Sequence, residues 1–419
     1  MMEKLSRMKF KLKQLLKAVS VVIVLVALPQ SAMAFLSWQE DDNSLEARGL
    51  LRGSGLALKN PDNQVYYNRR SVSGLAASGR LMVDAGFSKH ISFEMHAVQN
   101  YIPLSLQHGG SNLALLQGVE RSDLLDWSFD SRAAHLLVDR LNLQYASNRV
   151  NIKAGRQPVN LATTFYFTPN DFFAPFAAQT FFRSYKPGVD ALRADVQLSE
   201  LSQLSLISVL GYRLDSGGDN GWSNRVDAAR NSYLARISSL FGDFELALLA
   251  GSVKKDRVVG GDLQGELFEW LGVRAEGHVN FPDQAGFKRR VEFALGLEHR
   301  WENTLSLRAE QFYHGGGASS SATYAAVLAT QGGYLARNYS ALGAGYEFTP
   351  LLSGDLTLIY NWMDHSGLAA VYLLYSLSDE SELAFSGAVA RGARPAGVRI
   401  NSEFGLYPNS VSAEIRSYF

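Results

Sequence analysis

Nine aromatic side chains crowd residues 165–185 of this chain: Phe165, Tyr166, Phe167, Phe172, Phe173, Phe176, Phe181, Phe182 and Tyr185. Such rings break no bonds; they stack on flat or partly apolar molecules and exclude water. Polar groups surround them, with Arg156 and Gln157 upstream, Arg183 inside the run, and Asp190 and Arg193 downstream. A guanidinium grips carboxylates or sugar hydroxyls through its planar fork. Left on an exposed loop, the run would form an apolar patch far larger than a soluble surface tolerates, so it must lie against something. Two readings stay open: ring faces that contact molecules of intermediate polarity, or rings that only fasten the loop to a wall or join an aromatic belt.

Bond-making chemistry has little support. His96, His135, His278, His299, His314 and His365 are isolated, without the His-Glu-x-x-His spacing that would hold a metal. No Gly-x-Ser-x-Gly elbow occurs. The glycine triplet 315–317 precedes a loop and lacks the strand-turn-helix context of a phosphate cradle. With no cysteine there are no disulfides, no thiolate metal sites and no covalent attachment of c-type haem. The expectation is a chain that is not an enzyme and carries no cofactor or metal.

What positions the aromatic run is read from the pattern around it. Residues 1–34 read as an export signal: Lys4, Arg7, Lys9, Lys11, Lys13 and Lys17 precede the apolar stretch 18–28, and Ala32-Met33-Ala34 supplies a small-residue cleavage site. The apolar stretch is too short for a membrane helix, which needs about 20 residues. Cleavage removes six of the 40 basic and one of the 40 acidic residues, leaving 34 against 39 in a mature chain of 385. That mild acidity gives no reason to expect nucleic acid.

Beyond residue 34 the dominant signal is period two. Val411, Ala413, Ile415 and Phe419 share one strand face, and Ser412, Glu414, Arg416 and Tyr418 the other. Leu81, Val83, Ala85 and Phe87 likewise oppose Arg80, Met82 and Asp84; Leu271, Val273 and Ala275 oppose Arg274 and Glu276. Such segments run to about ten residues, enough to cross a membrane when tilted, whereas sandwich strands are usually about half that length. Connections alternate short (88–89, 147–149, 199–201, 242–243, 268–269, 302–303, 349–354, 378–381) and long (60–72, 101–132, 158–186, 215–231, 315–337, 393–408), with three brief ones near Lys255, Pro282 and Asp364.

The fold expected is all-β: a transmembrane antiparallel up-and-down barrel over 45–419, preceded by a short periplasmic segment, 35–44. It has about 18 strands, with 16 as the alternative, short periplasmic turns and long extracellular loops. The weakest hairpin lies near 258–267. No plug-sized N-terminal domain is visible.

If the apolar faces meet lipid, the other faces line the lumen. Arg80, Arg140, Arg274 and Arg308 are among ten basic side chains assigned there, and Asp84, Glu94, Glu276 and Glu310 among ten acidic ones. The wall is therefore expected to be polar and near neutral, without strong ion selectivity. Six oppositely charged i, i+2 pairs, 193/195, 274/276, 290/292, 298/300, 308/310 and 414/416, share a face and are expected to compensate one another.

Two resemblances follow from these residues. The final strand ending on Phe419 resembles the signal read by outer-membrane assembly machinery, although Ser417 stands where an apolar residue is usual. Ala154-Gly155-Arg156-Gln157-Pro158 and the segment 187–193 resemble motifs of a Gram-negative porin-like family that includes the alginate-exporter group. There a Gly-Arg-Gln strand precedes a loop folded into the barrel, and the next strand enters with an Asp and an Arg. The likeness spans about forty residues and implies an inward loop at 158–186, with Arg156, Gln157, Asp190 and Arg193 near a constriction. Arg156 departs, since its parity faces lipid unless a bulge precedes it; an Arg156–Asp190 pair that merely anchors the loop is the competing reading.

The resemblance implies an outer-membrane porin passing small polar or partly apolar solutes. Its partners would be membrane lipids, the barrel-assembly machinery and the solutes, with a homotrimer as porins of similar build suggest. The alternatives are a barrel sheath around a periplasmic or extracellular multihaem cytochrome, and a polysaccharide exporter.

Overall fold

The computed structural model describes residues 36–101, 128–131, 134–214, 222–283, 288–330 and 333–419. The export signal expected at 1–34 and most of the long connection 101–132 lie outside these residues. The strands are β1 Leu36–Glu40, β2 Asn43–Lys59, β3 Ser71–Ser88, β4 Ile91–Tyr101, β5 Ser128–Ser131, β6 Ala134–Ala146, β7 Val150–Gln157 and β8 Val189–Ser199. There follow β9 Ser202–Val209, β10 Tyr212–Leu214, β11 Trp222–Val226, β12 Ser232–Phe241, β13 Phe244–Val253, β14 Asp256–Leu267 and β15 Leu271–Phe281. The last are β16 Arg290–Arg300, β17 Ser306–His314, β18 Asn338–Thr349, β19 Leu352–Asn361, β20 Ser366–Ser378, β21 Ser381–Arg391 and β22 Asn409–Tyr418.

Leaving out β1, β5, β10 and β11, each strand pairs antiparallel with its neighbour in sequence, and β22 pairs back onto β2 from Leu50↔Tyr418 to Lys59↔Asn409. The result is a closed barrel of 18 strands. Closure leaves no sheet edge to be satisfied, the condition for strands to span hydrocarbon. The expected count is borne out, including the weak hairpin, which is the regular pair β14–β15. Within the lead-in expected at 35–44, β1 pairs along β2 from Leu36↔Ala47 to Glu40↔Asn43.

Outward positions carry uncovered apolar side chains such as Leu81, Phe87, Leu248, Val259, Phe293 and Val389. Inward positions are not uniformly polar as expected. Towards the long-loop end they hold Ile207, Val209, Leu234, Leu249, Val258, Ile359 and Leu368, all buried. The reason is that loops fold in against the wall there. Val159, Leu161 and Phe173 from the loop after β7 pack on the first five; Tyr166, Phe167 and Ala178 from the same loop, Tyr324, Val327 and Leu335 from the loop after β17, and Ile400, Phe404 and Leu406 from the loop after β21 form a second apolar cluster with Ile359 and Leu368.

Glu403 sits inside this second cluster, 1% exposed. Its carboxyl group accepts from Tyr339 Oη, from Asn361 Nδ2 at 2.8 Å and from Leu335 N at 3.3 Å, while its own N–H donates to Asp364 at 2.7 Å. Through its side chain and its own N–H, this one residue ties the connections after β17, β19 and β21 to the rims of β18 and β19. Among the described residues, Asp364 and the phenols of Tyr324, Tyr334, Tyr339 and Tyr407 act on it. Burial, reinforced by Asp364, pushes its carboxyl up to about 8.

The folded loops therefore keep a proton that an unfolded glutamate, titrating near 4.5, gives up. The contribution to loop closure is complete below that value and is lost as pH rises through about 8. Protease cleavage of the outer loops should accelerate between about pH 5 and about pH 9. Glu403→Gln should flatten the profile, and an unchanged profile in that variant would show that another group controls it.

Candidate functional site

The loop joining β7 to β8, residues 158–188, enters the barrel and follows its inner wall. At its root Gly155 has φ +118°, a conformation strained for any side-chain-bearing residue, and a Cβ there would strike the backbone of β6. Past Gly155 the alternation of exposure stops, and Arg156 and Gln157 are both buried. Arg156 donates two parallel bonds to Asp190, 2.9 and 2.8 Å, and a third to the Val138 carbonyl at 3.1 Å. Tyr212 donates to the same carboxylate at 2.7 Å. The Gln157 amide donates to the carbonyls of Lys153 at 2.9 Å and Ala191 at 3.0 Å. These groups clasp the two ends of the loop where it leaves the strands. Arg193 stands apart on β8, paired with Asp195 at 2.9 Å.

Inside the barrel the loop is held by its backbone. Thr163, Thr164 and Asn170 donate their N–H groups to Glu276 of β15, the latter two at 3.0 Å. Phe165, Tyr166 and Phe167 donate to Glu310 of β17 at 2.7, 3.2 and 2.6 Å. The wall around these carboxylates is small: Ala294 and Ala341 are fully buried beneath the loop, and a Cβ on Gly296 would come 3.1 Å from the Phe165 ring. At Gly343 a Cβ would collide with the Tyr166 hydroxyl.

Beyond this seat Phe167 stacks on Phe312, ring centroids 4.9 Å apart, and Phe172 meets His278 edge-on at 4.9 Å; Phe173 is buried at the loop root. Lys186 on the returning limb forms a buried ion pair with Asp171 on the outgoing one. Arg183 donates to the carbonyls of Phe165, Ala178 and Thr180, at 2.5, 3.1 and 2.8 Å, and so is spent inside the loop.

Farther round, Phe181 stacks on Tyr372 of β20 at 5.1 Å. Phe182 lies between Arg416 of β22 and Arg52 of β2, at 3.9 and 4.9 Å, and these arginines are register partners across the pair that closes the barrel. Arg80 of β3 covers Tyr185 at 4.3 Å, and Arg274 and Arg308 cover Phe165 at 4.6 and 5.5 Å. The loop therefore reaches strands around most of the circumference, and its half-buried rings carry wall guanidiniums on their faces.

The in-strand ion pairs expected at i, i+2 form at Arg193/Asp195 and Glu414/Arg416. At the other positions the charges turn elsewhere. Arg274 and Arg308 both reach Glu298, at 3.3 and 3.1 Å, because Glu276 and Glu310 are taken by the loop. Arg290 pairs with Asp256 at 3.3 Å, Glu292 with His314 at 3.0 Å and Arg300 with Glu347 at 2.8 Å. Cross-strand neighbours on a tilted sheet are as close as i, i+2 neighbours, so spacing along one strand could not choose between them.

Nearer the short turns, Glu94 binds Arg140 at 2.8 Å and Asn142 at 2.9 Å, and Asp84 binds Arg48 at 2.5 Å. Asp84, Glu94 and His96 could converge on a metal ion. Both carboxylates, however, are already neutralised by Arg48, Arg140 and Lys153, which removes the negative potential that would draw a cation.

The root pair yields a direct test. Removing Arg156 leaves Asp190 buried beside one phenol, and breaking a buried pair from one side typically costs about 3–5 kcal/mol. Arg156→Ala should lower the heat-modification temperature of the folded barrel clearly more than Arg193→Ala, read as band shift on gels; equal effects would contradict an anchoring role.

No family model and no curated protein matches the sequence. Solved structures do match. The outer membrane protein opdK from Pseudomonas aeruginosa is 11% identical, with a TM-score of 0.56 over 92% of this chain and 100% of that one. A BenF-like porin from Pseudomonas fluorescens Pf-5 is 14% identical, with a TM-score of 0.56 over 92% and 100%. OccAB1 from Acinetobacter baumannii is 10% identical, with a TM-score of 0.57 over 92% and 98%. The chain shares the fold of these outer-membrane porins.

Proposed function

We propose that this protein is an outer-membrane porin: a diffusion channel for small solutes, made selective by the loop 158–188. The observation that carries this reading is the seating of that loop inside a closed barrel, with Phe165, Phe172, Phe181, Phe182 and Tyr185 half-exposed to the space that remains. The uncovered apolar outer face suits lipid, and the shared fold with porins supports the same location. Half-exposed rings backed by guanidiniums favour solutes that combine a flat or apolar part with polar groups.

Arg156, Gln157, Asp190 and Arg183 hold the loop on this reading, and Phe165, Phe181, Phe182 and Tyr185 face the solute. The cytochrome-sheath alternative needs an unobstructed lumen, whereas the loop touches the wall from β14 round to β3. The residues resembling the alginate-exporter group lie in the root clasp, so the likeness speaks for anchoring of a loop rather than for a polysaccharide.

In planar bilayers the purified protein should give discrete conductance steps, a small reversal potential under a salt gradient and block by sugars or aromatic carboxylates. Deleting 165–182 should raise conductance and abolish block. Silence in both forms would overturn the channel reading.

A further inference from the structure

Six loop N–H groups converge on two wall carboxylates, and five of the six come from the consecutive residues Thr163, Thr164, Phe165, Tyr166 and Phe167. Neighbouring amides that all turn outward cannot satisfy one another, and an aromatic loop offers them few side-chain acceptors. An ionised carboxylate is acceptor-only, so it can take three N–H donors where a glutamine would confront them with donors of its own. β15 and β17 flank β16, whose inward Ala294 and Gly296 let the backbone approach. Arg274 and Arg308, the neighbours best placed to compete for the two carboxylates, reach Glu298 instead.

We infer that Glu276 and Glu310 are positioning residues of the constriction: their grip on the loop backbone, rather than their charge in the pore, sets the aperture through which solutes pass. The inference rests on the channel reading above and assigns it a mechanism of size selection. If the carboxylates acted as wall charges only, removing them would move ion selectivity and leave the size limit alone. If they position the loop, the size limit moves.

Two readouts separate the possibilities, and one needs no channel activity. The chain has no cysteine, so Ala178→Cys, on the loop and 2% exposed, introduces a single reporter thiol. In folded, detergent-solubilised protein, maleimide labelling of this thiol should rise at least roughly tenfold when Glu276→Gln and Glu310→Gln are added, the ratio that about 1.4 kcal/mol of destabilised closure produces. In liposome swelling, the same pair without the thiol should admit neutral oligosaccharides that the wild type excludes. Glu245→Gln, which removes a lumen carboxylate bound to Arg236 and Gln264, should change neither readout.

Heat-modification on gels confirms the folded barrel in each variant. Should the double variant not fold, the single Glu310→Gln and the shortened Glu310→Asp are measured, with a smaller increase expected in both. Unchanged labelling and an unchanged size limit, with a displaced reversal potential, would overturn the inference. A wild type that passes no solute while labelling still rises in the variant would retain the grip and defeat only the channel reading.

Discussion

A polypeptide that leaves a barrel wall and enters its lumen must find partners for backbone groups that the sheet would otherwise have paired. That requirement organises the interior of this protein. An amide left buried without an acceptor costs about 1–3 kcal/mol, so six together would make the inward course untenable. Glu276 and Glu310 remove the cost, and their neighbours follow from it. Small residues on β16 and β18 make room for the backbone, and Arg274 and Arg308, deprived of these carboxylates, share Glu298 and lie over Phe165.

The same logic changes the electrostatics of the lumen. A ledger of opposite charges suggests a neutral wall whose members compensate within each strand. In the structure a guanidinium does two things at once: its edge meets a carboxylate while its face lies on a ring of the loop. Charge balance is kept, but the balance is struck around the loop rather than along the strands. The lumen is therefore polar where water reaches it and apolar where loops cover it.

Much of this was legible in the chain. Alternation at Leu81 to Phe87 and at Val411 to Ile415, with short turns between such segments, pointed to about 18 strands, with 16 still open, and gave the lumen side of Arg80, Glu94 and Glu276, because period two is local and obligatory. The crowding of Phe165 to Tyr185 marked a loop that had to be buried. The fate of Glu276 and Glu310 was not legible, since their acceptors' partners lie over a hundred residues away and are backbone atoms, identical in every residue. The run from Thr163 to Phe167, poor in acceptors of its own, was the one available hint. Nor did Glu403 stand out, because a single acid in a loop looks solvated until other loops close over it.

The position of Phe182 bears on how such a barrel is completed. Arg52 and Arg416 face one another across the pair of strands that closes the barrel, and two guanidiniums opposed in this way repel. Glu414, Glu382 and the electron-rich face of Phe182 lie with them and offset that repulsion. At the join between the first and last barrel strands, a residue from the middle of the sequence thus adds to the compensation that two wall carboxylates provide. One ring of the inward loop thus lies over the seam at which the cylinder closes.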